Sequence, residues 1–179
     1  ETDTVEVDYN DGFQAQQTTI GLDGVSQTPA VLTISETDPY NYGTLATGAT
    51  QTHVFTITNT GEFQATAVAE TTVAAPFVYT GGGATYPGAA GNCGVVLAGG
   101  ANCTIEVAYS PTIVAAPDNG TITFGYNDGN AVQSVARTLQ GTAVTPANIT
   151  MSLADPYDFG TVATGANNAV TITLTNGGG

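Results

Sequence analysis

Apolar and polar residues alternate along most of this chain. Phe55 and Ile57 alternate with Thr56 and Thr58, and Cys103, Ile105, Val107 and Tyr109 alternate with Thr104, Glu106 and Ala108. Ile122, Phe124 and Tyr126 do the same with Thr121, Thr123 and Gly125. A period of two sends one side chain to a core and the next to solvent, which predicts antiparallel strands with one buried and one wet face. The wet face is mostly Thr, a β-branched residue that suits a pleated surface without adding charge. Asn127-Asp128-Gly129, between an Ile122–Tyr126 strand and an Ala131–Leu139 strand, predicts a hairpin turn. Gly81-Gly82-Gly83, Pro87-Gly88 and Gly99-Gly100 punctuate the remainder. No segment carries a helical period.

The same pattern occurs more than once. Asp38-Pro39-Tyr40 returns as Asp155-Pro156-Tyr157, Ala46-Thr47-Gly48-Ala49 as Ala163-Thr164-Gly165-Ala166, and Tyr9-Asn10-Asp11-Gly12 as Tyr126-Asn127-Asp128-Gly129. All share an offset of 117, and residues 1–62 align with 118–179 without a gap and with 26 identities. Residues 1–30 then read as the closing strands of a preceding repeat, 31–147 as a complete repeat, and 148–179 as the opening strands of a following one. A unit of 117 residues exceeds the roughly 20–50 of a solenoid coil and fits tandem autonomous domains. With seven or eight short strands per unit, the expected fold is all-β: immunoglobulin-like antiparallel β-sandwiches in tandem. The partial repeats would expose unpaired strand edges alone, so they are completed either by a chain continuing in both directions or by neighbouring molecules.

Composition narrows the function. The 179 residues include 32 Thr and 23 Gly but one Arg and no Lys, against 15 acidic groups, for a net charge of −14. Only 9% of residues are charged, where an ordinary soluble domain has roughly 25%. Nucleic acid and anionic membrane surfaces both need clustered cations, and Arg137 stands alone. No apolar run approaches the roughly 20 residues of a spanning helix, so direct membrane insertion is not expected, and no signal peptide is evident. A chain beginning at Glu1 reads as a mature or excised piece. The acidity is uneven: Glu1, Asp3, Glu6, Asp8, Asp11 and Asp23 lie in the first 30 residues, while 118–147 hold only Asp118 and Asp128.

The two cysteines, Cys93 and Cys103, are separated by nine residues that include Gly99-Gly100, a turn able to bring the sulfurs together. A disulfide here implies an oxidising, extracytoplasmic setting; the competing reading is two buried free thiols. Tyr42-Gly43-Thr44-Leu45-Ala46-Thr47-Gly48 leads into Val54-Phe55-Thr56-Ile57-Thr58-Asn59-Thr60-Gly61, followed by Leu97-Ala98-Gly99-Gly100-Ala101-Asn102-Cys103, Tyr109-Ser110-Pro111-Thr112 and the closing Leu139-Gln140-Gly141-Thr142-Ala143. This order resembles the bacterial choice-of-anchor-D repeats, related to the ASH/Hydin class of immunoglobulin-like domains. The paired cysteines around Leu-x-Gly-Gly are its most specific part. The resemblance implies seven-stranded sandwiches strung in large secreted or surface-anchored bacterial proteins, and it carries no catalytic motif. The stretch from Ala74 to Gly91 departs from it, richer in Gly and Pro, and reads as a solvent-exposed loop with no partner or, alternatively, as an elaborated loop available for contacts.

Little chemistry is expected. His53 is the only imidazole and shares the alternation of Phe55 and Ile57, which places it at the edge of the core rather than in a catalytic triad. No cofactor is expected. Asp38 with Asn41, and Asp155 with Asp158, are weak calcium candidates, because oxygen ligands in a loop suit a hard cation. The Asp-Pro-Tyr sequence alone accounts for them as a turn in which Asp bonds the turn backbone. Asn102, Asn119 and Asn148 head Asn-x-Ser/Thr sequons and are glycosylation candidates.

The expected role is therefore a non-enzymatic structural segment of a secreted or cell-surface bacterial protein, a stalk or extracellular fibre whose partners are neighbouring copies of the same domain. Thr28-Pro29-Ala30 and Thr145-Pro146-Ala147 are linkers without slack, since Pro restricts itself and the residue before it. Two alternatives stand beside it. Strand complementation between molecules could build a filament head to tail, although the middle of the repeat, around 62–117, would be missing from such a joint. An adhesive module could stack a glycan or surface receptor on exposed Tyr40, Tyr79 and Tyr86.

Overall fold

A computed structural model describes residues 1–70, 73–81 and 83–179. Gly82, the centre of the expected Gly81–Gly83 turn, lies outside the described residues. The chain opens with an antiparallel hairpin of β1 (Thr2–Asn10) and β2 (Ala15–Asp23). Eight strands follow: β3 (Leu32–Ile34), β4 (Tyr40–Ala46), β5 (Gln51–Asn59), β6 (Thr66–Glu70), β7 (Phe77–Tyr79), β8 (Asn102–Tyr109), β9 (Ala115–Asn127) and β10 (Val132–Val144). A short pair, β11 (Ile149–Met151) with β12 (Leu174–Asn176), ends the chain. No helix occurs among the described residues, and none is therefore long and apolar enough to cross a membrane.

The eight central strands make two four-stranded sheets, ordered β3-β5-β8-β7 and β4-β10-β9-β6. Their inner faces form one core, as the alternation requires. Phe55, Ile57, Phe77, Ile105, Tyr109, Ile122, Phe124 and Leu139 are wholly buried, each contributing roughly 1.5–3 kcal/mol. Tyr42 and Tyr109 meet across the sheets with ring centroids 5.8 Å apart, and Phe77 stacks on Tyr109 at 5.1 Å. Gly141 makes room for this layer, since a Cβ there would lie 2.6 Å from the Tyr109 ring. The chain changes sheet at Asp38-Pro39: β3 pairs antiparallel with β5, whereas β4 runs parallel to β10.

Two expectations needed extension. β9 begins at Ala115, well before Ile122, and runs through Pro117 and Gly120. Proline is tolerated because, among the described residues, β6 pairs with Phe124, Gly125 and Asn127 and none pairs on that side with 115–120. β10 likewise continues past Leu139 to Val144, with an irregularity between Gly141 and Ala143. The stretch from Ala74 to Gly91 is not a free loop. It contains β7 on the edge of β8, then folds back so that Glu106 N–H donates to Pro87 O (2.9 Å) and Tyr86 packs on Phe124 and Tyr79.

The flanking pairs reproduce the central registers at the sequence offset. β1 pairs with β2 from Thr2↔Asp23 to Asn10↔Ala15, and β9 with β10 from Asn119↔Gln140 to Asn127↔Val132. Ile149↔Asn176, Thr150↔Thr175 and Met151↔Leu174 repeat Leu32↔Asn59, Thr33↔Thr58 and Ile34↔Ile57.

Burial raises the phenol pKa values of Tyr42, Tyr79 and Tyr109, with Glu70 adding to the effect at Tyr79 and Asp118 at Tyr109. Tyr86 is pushed up to about 12 by burial and by Glu70. The unfolded chain loses these protons near pH 10 while the folded chain keeps them, so stability falls as pH rises above about 10. Ultraviolet titration should find Tyr42, Tyr79, Tyr86 and Tyr109 un-ionised at about pH 11 as long as circular dichroism reports a folded chain, and ionised together once it unfolds.

Candidate functional site at the leading end of the sandwich

Asn59 ends β5 and is fully buried. Its Oδ1 accepts Val31 N–H (3.1 Å) and Gly61 N–H (3.0 Å). Its Nδ2 donates to Phe63 O (2.9 Å), Leu97 O (3.1 Å) and Ala98 O (3.2 Å). One carboxamide thus joins the incoming linker, the turn after β5 and the loop before β8. The arrangement follows from sequence locally: strand alternation turns Asn59 inward just where the chain must reverse, and only a side chain with both donor and acceptor satisfies the backbone groups left there.

The loop held by Asn59 is the one closed by cysteine. Cys93 and Cys103 form a disulfide with Cα atoms 4.9 Å apart, both buried in the core. No free cysteine remains. The Gly99-Gly100 turn lies against the β5–β6 connection: Gly100 N–H donates to Asn59 O (3.0 Å), and a Cβ on Gly99 would sit 2.0 Å from Glu62 O. The disulfide contributes about 2–3 kcal/mol on the chain-entropy estimate.

The linker enters across this platform. Thr28 N–H donates to Glu62 Oε2 (2.9 Å), Phe63 N–H to Thr28 O (2.9 Å), and Ala30 N–H to Asp128 O (3.0 Å). Asp128 is buried in the hairpin turn, its Oδ1 accepting Asn130 and Ala131 N–H at 2.7 and 2.6 Å. The Ala131 and Asn130 amides hold its carboxyl below the ordinary value. That stability is present above about pH 4 and is lost as pH falls through the lowered folded value. The Phe63 ring covers Gly129, where a Cβ would come within 2.6 Å. Val25, Gln27, Pro29, Phe63 and Asp128 line a shallow hollow of about 240 Å³ beside the linker.

The calcium candidates are not gathered. Asp38 Oδ1 accepts Thr138 N–H (2.9 Å) from β10, which corrects the expectation of a bond to its own turn. Asn41 Oδ1 accepts Gly43 N–H and Asp158 Oδ1 accepts Gly160 N–H, both at 2.7 Å. Asp155 lies exposed at the rim of a hollow in the C-terminal segment. Among the described residues no group of three or more His, Cys, Asp or Glu side chains is placed to hold a metal ion.

The three tyrosines expected at the surface are not fully exposed. Tyr79 is buried with its hydroxyl donating to Glu70 (3.1 Å), Tyr40 stacks on His53 at 4.1 Å, and Tyr86 packs inward. His53 lies at the core edge as expected, 3.3 Å from Glu36. Asn102, Asn119 and Asn148 are exposed. The residue that sequence reasoning passed over is Asn59. Its signal was the recurrence of Asn-x-Gly at 176–178, where Asn176 Oδ1 accepts Asn148 N–H (3.0 Å) and Gly178 N–H (3.1 Å).

No family model and no curated protein matches the sequence. Among solved structures, the chain is similar to the Vibrio cholerae VesB protease, with 21% identity and a TM-score of 0.46 over 62% of this chain and 31% of that one. It is also similar to a protein of unknown function from Porphyromonas gingivalis W83, with 12% identity and a TM-score of 0.47 over 79% of this chain and 64% of that one. The chain thus spans less than two thirds of either.

Replacing Asn59 with Ala should cost about 3–5 kcal/mol, because several buried backbone groups lose their partners at once. Chemical denaturation checks it. Thiol titration of the unfolded, unreduced chain should find no free sulfhydryl, and Cys93→Ser with Cys103→Ser should lower stability by about 2–3 kcal/mol.

Proposed function

We propose that this chain is a non-enzymatic structural segment of a secreted or cell-surface bacterial protein, built from immunoglobulin-like sandwiches that repeat every 117 residues, and that it serves as a stalk or extracellular fibre. Residues 1–30 belong to one unit, 31–147 to the next and 148–179 to a third. The observation that carries this reading is the register of the flanking pairs: β1–β2 and β11–β12 match β9–β10 and β3–β5 pair for pair at the offset read from sequence. The disulfide supports an oxidising, extracytoplasmic location. A linker hydrogen-bonded at Thr28, Ala30 and Val31 supports a stiff joint rather than a tether.

The chain enters beside Asp128 at the base of β10 and leaves after Val144 at its far end. Thirteen residues of strand extend about 40 Å. Electron microscopy of the full-length protein should show beads advancing by about 35–50 Å per unit. A spacing near that of a solenoid coil, about 20 Å or less, would overturn the reading.

A further inference from the structure

The complete sandwich exposes apolar side chains at both of its ends, beside the chain that runs through them. At the trailing end, Ile113 and Val114 are exposed in the connection between β8 and β9. They directly precede Ala115, which pairs with Ala143, and Pro111 O close by accepts Gly48 N–H (2.8 Å). They therefore flank the chain as it leaves at Val144. At the leading end, Phe63 is exposed and its N–H donates to Thr28 O (2.9 Å), so it flanks the chain as it enters. Thr28 and Thr145 are counterparts at the offset of 117.

The joint leaves no free residue between these two ends. Val144 pairs with Ala46, and its carbonyl accepts Thr47 N–H (2.9 Å), so it is held by the unit the chain is leaving. Thr145 Oγ1 accepts Gly179 N–H (3.1 Å), as Thr28 Oγ1 accepts Glu62 N–H (3.2 Å), so Thr145 is already held by the unit the chain is entering. Pro146 O then crosses Gly178 as Pro29 O crosses Gly61, each passing too close for a Cβ. Consecutive residues are bonded to different units, which brings the surfaces around Thr145 against each other.

We propose that the β8–β9 connection is an interaction surface for the next unit of the same chain, with Ile113 and Val114 packing on the side chain that stands there at the position of Phe63. The proposal rests on the repeat reading and adds to it a side-chain contact that fixes the angle between units. The receiving surface is seen at the leading end of the sandwich, where a hollow of about 240 Å³ between Pro29, Phe63 and Gly129 lies beside the incoming linker. It is open to the matching loop of the preceding unit. Two or three apolar side chains bury too little surface to hold separate molecules together. Across a joint without slack the partner is supplied at high effective concentration, so the same contact closes within one chain.

Hydroxyl-radical footprinting reads side-chain exposure and tests this by comparing the full-length protein with the 179-residue chain, which stops one position before the counterpart of Phe63. Ile113, Val114 and Phe63 should all be oxidised more slowly in the full-length protein. Val54, exposed in the middle of β5 and away from both ends, should react equally in the two. In the full-length protein, Ile113→Asp with Val114→Asp should loosen the joint. Elastase cleavage within residues 144–148, mapped by mass spectrometry, should then run at least about tenfold faster than in the wild type, since cleavage follows the open population. The same pair of substitutions should leave the melting temperature of the 179-residue chain unmoved, because both side chains are exposed in it. Equal oxidation in the two proteins, protection of Ile113 and Val114 without Phe63, or unchanged cleavage each overturns the contact. Bead spacing tests the repeat reading separately: the expected spacing with Ile113 still reactive removes this contact alone.

Discussion

A buried backbone turn without water needs partners for every N–H and C=O, and at the leading end of this sandwich one carboxamide supplies them. Asn59 is the meeting point of three segments that backbone bonds such as Phe63 N–H to Thr28 O and Ala65 N–H to Leu97 O also join: the linker at Val31, the β5–β6 connection at Gly61 and Phe63, and the disulfide loop at Leu97 and Ala98. An aliphatic side chain of similar size would fill the space and leave those groups unpaired. The disulfide fixes the loop covalently, yet its Cys93–Cys103 link says nothing about where the Gly99-Gly100 turn lies. Asn59 decides that. The linker's approach, the closeness of Gly99 to Glu62 and the fit of Phe63 over Gly129 surround this point.

The outer surface follows a different logic. With so few charges, solubility and resistance to edge pairing rest on Thr and on a scattering of carboxylates. Several of those carboxylates are not free surface groups. Asp128 and Asp11 cap their hairpin turns through the same bonds, Oδ1 to the two N–H groups ahead and Oδ2 to Gln133 or Gln16. Asp38 pins the sheet crossing to β10. Acidic residues of the leading hairpin such as Glu6 and Asp8 instead alternate with Val5, Val7 and Tyr9, which keeps charge on one face and leaves the other apolar.

Strands, hairpin and staple were legible in the sequence because each is a local signal: period two, Asn-Asp-Gly, and two cysteines around a glycine turn. Sheet partners were not, since nothing local states that β4 lies beside β10, a hundred residues away. The same limit misplaced Asp38, whose partner Thr138 belongs to that distant strand, and left Tyr79 and Tyr86 looking like surface rings. Gly and Pro between Ala74 and Gly91 signalled a loop but hid β7, which lies within it. Their deeper role is close approach: a Cβ at Gly88 would lie 2.4 Å from Glu106 O, so glycine lets the loop lie flat on β8.

The second and last strands of the sandwich bear on how it would carry load. β4 and β10 run parallel, Leu139 beside Tyr40 through Val144 beside Ala46, and Val144 O also accepts Thr47 N–H (2.9 Å). Tension between residues 30 and 145 draws β4 toward its start and β10 toward its end. That motion slides two parallel strands past each other, so their hydrogen bonds resist together rather than opening one at a time. At the leading end, the same tension pulls Val31 against Asn59 and β3 against β5, which are antiparallel and joined through only three residue pairs. The weaker of the two grips is therefore the short one, and Asn59 stands directly behind it. Because Asn59 is tied to Leu97 and Ala98, load on β3 passes into the loop that Cys93 and Cys103 close, and the staple becomes part of the grip on the linker.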